Sequence, residues 1–179
     1  NICRHQIEHI EVISPEDIDR FRKLGVIASI QPEHISSGIP TFSDNCYPSR
    51  VGSVREKFTW PFKSINDAGG VLAGGSDAPV VEGNPFYGIY SGMSRIYPDN
   101  KPEGGWNPQE KLGIEDLLEM YTYGAAYAEG REHELGTLEV GKLADIIVLD
   151  RNLLDCDLNE IMDTEASLTM VNGRIVYVG

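Results

Sequence analysis

Three short apolar runs, within residues 2–10, 26–30 and 71–75, are separated by helix-like sequence, and this alternation narrows the fold more than any other feature. Strands joined through helices lie parallel, their crossovers are right-handed, and the sheet they make is covered by those helices. The first run, Ile2 to Ile10, reads as a strand. Ser14-Pro15-Glu16-Asp17 then opens a helix, with Ser14 as its cap, Pro15 at the first helical position and Asp17 closing a capping box. Ile18, Phe21 and Leu24 give that helix an apolar face, and Gly25 ends it. Val26 to Ile30 follows at once as an apolar strand of the kind a parallel sheet buries.

The later elements are read in the same way. Residues 32–48 form a polar loop carrying Pro32, Gly38, Pro40 and Pro48, and a loop of that length in a compact domain is functional or disordered. Residues 49–68 are helical, with Pro61 kinking or breaking the helix. Val71 to Gly75 is the third strand, followed by a Gly/Pro-bearing loop from Ala78 to Pro85. Residues 86–97 read as a helix, 98–113 as a loop, and 114–128 as a helix from the spacing of Ile114, Leu117, Leu118 and Tyr121. After residue 130 the pattern changes. Ile146 to Leu149 is a strand, and 168–178 holds two apolar runs flanking Asn172-Gly173, a strong hairpin signal. Residues 1–130 and 131–179 therefore read as two units, α/β and then β-rich. A closed (β/α)8 barrel takes roughly 250 residues. Only three strand–helix units fit here, so the chain is either a small open α/β sheet or a piece of a barrel.

Composition excludes several classes. The net charge of -13 leaves no basic stripe for phosphates, so nucleic acid is excluded as a partner. No apolar run reaches the ~20 residues that span a bilayer, which excludes a membrane span. Cys3, Cys46 and Cys156 are widely spaced and cannot all pair, which suits a reducing compartment and a cytoplasmic protein. The first residues, Asn1 to Gln6, carry no long apolar stretch and no initiator Met, and they begin directly in strand-like sequence. That points to a piece of a longer chain.

Two positions stand where a parallel sheet presents its chemistry, at the carboxyl ends of strands. In His5-Gln6-Ile7-Glu8-His9 alternation puts His5, Ile7 and His9 on one face, with His9 at the mouth. Imidazole there is either a metal ligand or a satisfied core or surface histidine. In Gly74-Gly75-Ser76-Asp77-Ala78-Pro79 the carboxylate of Asp77 lies just past an apolar strand, behind two glycines that permit close approach. It either binds a metal and moves a proton, or serves as a cap or turn residue. His34, after the middle strand, is a substrate contact or an ordinary loop histidine. His133, among Arg131, Glu132 and Glu134, reads as solvated. No G-x-S-x-G elbow, P-loop or dinucleotide fingerprint occurs, and Cys46 has no nucleophile signature. Phe58, Trp60, Phe62, Tyr87, Tyr90 and Tyr97 read as core or pocket wall.

Three segments together resemble the YtcJ-like branch (amidohydrolase family 3) of the amidohydrolase superfamily. The first runs from Arg4-His5-Gln6-Ile7-Glu8-His9 through Pro15-Glu16-Asp17 to Leu24–Pro32. The second is Gly75-Ser76-Asp77-Ala78-Pro79-Val80, and the third is Gly136 to Asp150, with Gly141-Lys142-Leu143-Ala144-Asp145 at its centre. The resemblance implies an α/β fold: about strands 6 to 8 of a (β/α)8 TIM-type barrel, followed by part of a small β-sandwich from about Gly136. It implies a hydrolase that cleaves carbon–nitrogen bonds of small amide-type substrates with a metal-activated water. His9 and Asp77 would be metal ligands, Asp77 also the catalytic proton carrier, and His34 a substrate contact at the mouth.

The expected cofactor is a divalent metal, zinc first, with one or two ions in the full-length protein. The family's remaining ligands would lie upstream of Asn1. With two ligands, where a catalytic zinc keeps three or more, this piece alone would hold a metal weakly or not at all. The missing barrel half, or a second copy of the chain, is then the expected partner. The alternatives are a catalytically silent fragment or an α/β interaction module. Gly113 replaces the capping Thr or Ser common in relatives and weakens that cap.

Overall fold

A computed structural model describes residues 3–179. The expected strand start at Ile2 lies outside the described residues. Strand β1 (Gln6–Glu8), helix α1 (Ile18–Leu24), β2 (Ile27–Ile30), α2 (Tyr47–Arg55), α3 (Phe62–Asp67) and β3 (Leu72–Gly74) follow in order. The three strands form one parallel sheet in the order β1-β2-β3, with Ile7 opposite Ala28 and Ser29 opposite Ala73. Ile27, Ala28 and Ile30 are buried because helices cover β2, while Ile7 on β1 is 50% exposed. Among the described residues, β1 and β3 each pair with β2 alone.

Helix α1 begins differently from the expectation. A 3-10 turn at Pro15–Asp17 precedes it, and the Ser14 side chain makes no capping bond; instead the Asp17 N–H donates to the Ser14 carbonyl at 2.9 Å. Its end is as expected, with Gly25 in the left-handed region (φ 64). Pro61 separates α2 from α3, and the Phe62 N–H donates across it to the Trp60 carbonyl.

Helix α4 (Pro85–Ser94) stops three residues short of the expected boundary. Arg95 turns left-handed (φ 54) and its fully buried guanidinium donates to the carbonyls of Trp106 (2.6 Å), Trp60 (3.0 Å) and Thr59 (3.3 Å). Nearby, Phe42 with Tyr97, Tyr47 with Trp60 and Tyr97 with Trp106 pack edge to face and Tyr47 tilts against Trp106, so the polar loop is anchored by aromatic rings.

The helix expected at 114–128 is composite: α5 (Ile114–Glu119), a π-helical stretch (Met120–Gly124) and α6 (Ala125–Ala128). It lies hard against β3. A Cβ on Gly124 would sit 2.0 Å from the Leu72 carbonyl oxygen, and one on Gly74 would sit 2.6 Å from Met120 Cε. Gly74 is therefore small to admit this helix. At the start of α5, the Asp116 carboxylate accepts from the Gly113 N–H (3.1 Å), which supports a cap lacking a hydroxyl.

Strands β4 (Ile146–Leu149), β5 (Ala166–Val171) and β6 (Arg174–Val178) form a separate antiparallel sheet in sequence order. Asn172 and Gly173 are both left-handed (φ 47 and 75), the geometry of a type I′ hairpin turn. Ile147, Ile175, Val176, Tyr177 and Val178 are each more than half exposed.

Candidate metal centre

The carboxyl ends of β1, β2 and β3 open on the same side, because parallel strands in one sheet all point the same way. The β1 ladder runs on past Glu8, with the His9 N–H donating to the Ser29 carbonyl at 2.9 Å. There the chain reverses. His9 has φ 66, and the Ile10 N–H donates back to the Glu8 carbonyl (2.8 Å), which makes a three-residue turn centred on His9. The expected common face of His5, Ile7 and His9 is thus interrupted, because His9 has left the extended conformation on which alternation depends.

After β2, Gln31 is buried and a 3-10 turn over Pro32–Ile35 carries His34, whose N–H donates to the Gln31 carbonyl (3.0 Å). After β3, the Gly75 N–H donates to the Ile30 carbonyl (3.1 Å). Asp77 then turns left-handed (φ 56), and its carbonyl accepts from the Val80 N–H. Gly75 is open, since no heavy atom lies within 4 Å of where its Cβ would be.

These turns bring three donor groups together. One ligand atom from each of His9, His34 and Asp77 lies within 4.8 Å of the others. The two imidazoles stack with centroids 5.6 Å apart and planes 25° from parallel. Both are half-buried, whereas Asp77 is exposed. His9 Nδ1 is 3.0 Å from Gln31 Oε1, and Gln31 Nε2 donates to Glu8 Oε2 at 3.3 Å. His34 Nε2 is shielded from solvent and has no hydrogen-bond partner. Two imidazoles and a carboxylate are the donor set that a borderline divalent cation prefers, and one of the imidazoles, His34, has a ring nitrogen with no other partner, so the residues fit such a metal. His133 lies apart from this cluster, exposed beside Glu134.

The loops that carry His34 and Asp77 also line a cavity of about 670 Å³, walled by Glu33, Ser36, Ser37, Ala78–Gly83 and Pro98. Burial, and then the charge of Glu82, pushes the Glu33 carboxyl above its ordinary range. Sequence reasoning missed Gln31 as the partner of His9, and Glu8 as the partner of Gln31. The available signal was a polar side chain directly after an apolar strand and ahead of Pro32, where burial demands a partner. Among the described residues no helix is long and apolar enough to cross a membrane, and all three cysteines are free.

Comparison with known proteins gives the site its context. The family model described as "Amidohydrolase family" matches residues 2–177. The chain is similar to the Arabidopsis thaliana protein LONG AFTER FAR-RED 3 (33% identical) and to the putative amidohydrolase YtcJ of Bacillus subtilis (30%). Each match covers 97% of the chain, and 29% and 32% of the relative, respectively. It is 32% identical to the N-substituted formamide deformylase of Arthrobacter pascens over 66% of the chain and 21% of that protein. The crystal structure of a metal-dependent hydrolase from Pyrococcus horikoshii superposes with a TM-score of 0.73 at 28% identity, covering 86% of this chain and 30% of that one. The chain thus spans about a third of the length of the first curated relatives it matches.

Proposed function

The chain belongs to the amidohydrolase family, and from that premise we propose that it supplies part of the active site of a metal-dependent hydrolase that cleaves carbon–nitrogen bonds of small amide-type substrates. The observation that carries this reading is the convergence of His9, His34 and Asp77 at the carboxyl ends of three parallel strands. The likeness to a relative named as an N-substituted formamide deformylase favours an amide-type bond. In this reading β1, β2 and β3 are the sixth to eighth strands of a (β/α)8 barrel, within residues 1–130. Residues 131–179 are strands of a β-sandwich. The free edges of β1 and β3, and the exposed apolar side chains of β6, are where the rest of a longer protein or a second copy packs.

His9 and Asp77 would hold the metal, with zinc matching the donor set best. A divalent cation held there supplies a lowered water pKa and a polarised carbonyl. Asp77, exposed at the mouth, accepts the proton that the attacking water loses and returns it to the departing nitrogen. His34 faces the substrate from the loop between His9 and Asp77 and shares their cluster, close enough to act as a third ligand. The cavity beside it takes the substrate's substituent.

The test uses full-length protein. Bound metal is quantified by elemental analysis, and hydrolysis is followed on N-substituted formamides and other simple amides. Asp77→Asn should cost at least about 10²-fold in kcat. Metal-free protein with undiminished turnover in Asp77→Asn would sink the proposal.

A further inference from the structure

We infer that Glu8 and Gln31 are positioning residues that fix the tautomer of His9, so that its Nε2 presents a lone pair to the metal. The inference rests on the reading of His9 as a ligand, and the hydrogen-bond chain that supports it stands independently. A carboxylate can only accept, so Glu8 Oε2, 3.3 Å from the Gln31 amide, draws the NH2 end of that amide towards itself. The amide orientation is then settled: its oxygen, Oε1, faces His9 Nδ1 at 3.0 Å. An amide oxygen also only accepts, so the imidazole proton resides on Nδ1, and Nε2 is left unprotonated and available.

Burial makes this chain restrictive. Gln31 is 4% exposed, so its amide cannot trade either partner for bulk water, and reversing it would set an amide oxygen against a carboxylate. The wrong tautomer, with Nε2 protonated and Nδ1 bare, would point one lone pair at another. Rotation is restrained as well, because His9 stacks on His34 with centroids 5.6 Å apart. The direction of the chain thus originates at Glu8, an exposed residue outside the cluster of His9, His34 and Asp77, and reaches His9 through the buried side chain between them.

The experiment uses the full-length protein and zinc as the probe, with the dissociation constant measured by chelator competition. Histidine ¹⁵N spectra of the metal-free form are recorded alongside, and the His9 signals are assigned by their loss in His9→Gln. Gln31→Met should weaken zinc binding about 10- to 100-fold, the usual consequence of losing a partner behind a metal-bound histidine. Glu8→Gln keeps the size and the exposed position of the side chain but can accept as well as donate, so it should leave His9 in a mixture of tautomers and weaken zinc a few-fold. A merely structural role for Gln31 would not move the tautomer signals in Glu8→Gln. Should Gln31→Met fail to fold, Glu8→Gln decides alone. A His9 that is protonated on Nε2 in the wild type, or one that keeps its tautomer and zinc affinity in Glu8→Gln, overturns the inference. Zinc binding absent from the wild type, with the Nδ1–H tautomer present, would instead overturn the metal reading.

Discussion

Replacing Gly124 with alanine tests how the composite helix sets the position of β3, because two effects of opposite sign compete there. Gly124 has helical backbone angles (φ -59, ψ -45), so alanine fits the backbone and would by propensity alone stabilise the helix by about 1 kcal/mol. The new Cβ, however, would sit 2.0 Å from the Leu72 carbonyl oxygen, 3.1 Å from its carbon and 3.5 Å from Ala73 Cα. These are backbone atoms of a hydrogen-bonded strand and cannot rotate away, so helix and strand must part by about 1 Å. Overpacking of this kind costs roughly 1–3 kcal/mol, at the upper end where backbone must move, which leaves about 2 kcal/mol of net destabilisation. In full-length protein, about three times this length in the first curated relatives, that is a fall in Tm of roughly 1–3 °C.

The same displacement reaches the site, because β3 leads directly to Asp77. A misplacement of about 1 Å can cost 10²-fold in turnover. Thermal melts and hydrolysis rates of full-length Gly124→Ala against wild type provide the comparison. Gly75→Ala, where nothing lies within 4 Å, should melt near the wild-type temperature. A Tm for Gly124→Ala at or above wild type would mean that propensity had won and that the contact with β3 is not tight.

Three further outcomes follow from the described contacts. Arg95→Met removes the guanidinium from the Thr59 and Trp106 carbonyls, while Trp60 keeps the Phe62 N–H; two carbonyls lose a buried donor at ~1–3 kcal/mol each, partly offset by relief of a buried charge whose pKa burial holds down to about 10. Urea unfolding should show a net loss of about 3 kcal/mol, and an unchanged midpoint would contradict the clamp. In acid, the Glu132 carboxyl, held down to about 2 mainly by its hydrogen bond to the Arg4 guanidinium, stays charged in the fold below the ordinary value of 4.5. That contact therefore stabilises fully above about pH 4.5 and is lost as pH falls towards 2, so Arg4→Gln should flatten the dependence of Tm on pH in that window alone. His34→Ala separates two roles: a ligand's loss lowers metal content, whereas a substrate contact's loss raises KM with metal retained.

The parallel sheet and the hairpin were legible in the sequence because each rests on local chemistry: apolar runs between helix signals, and Asn172-Gly173 supplying two left-handed residues. The ends of elements were less legible. Helix α4 stops at Ser94 because Arg95 finds three carbonyls from distant loops, and no window around Arg95 contains Thr59 or Trp60. The same holds at the centre. His9, His34 and Asp77 could each be singled out by their places after strands, but their mutual approach depends on the turns at His9 and Asp77, which pattern alone does not show. The partnership of Glu8, Gln31 and His9 joins two strands side by side, and it becomes visible only once their register is known.

The left-handed residues at the strand ends have a consequence for how this chain tolerates change. His9, Ile10 and Asp77 all hold positive φ without being glycine, and Ile10 does so with a β-branched side chain, a conformation that costs roughly 1–2 kcal/mol per residue. Glycine would relax the backbone at each of them, and at His9 and Asp77 would erase a donor group. On the proposed reading of the site, thermal robustness and chemistry therefore pull in opposite directions at this rim. Variants enriched only for resistance to heat should drift towards glycine at His9 and Asp77 first, becoming sturdier as they lose the centre.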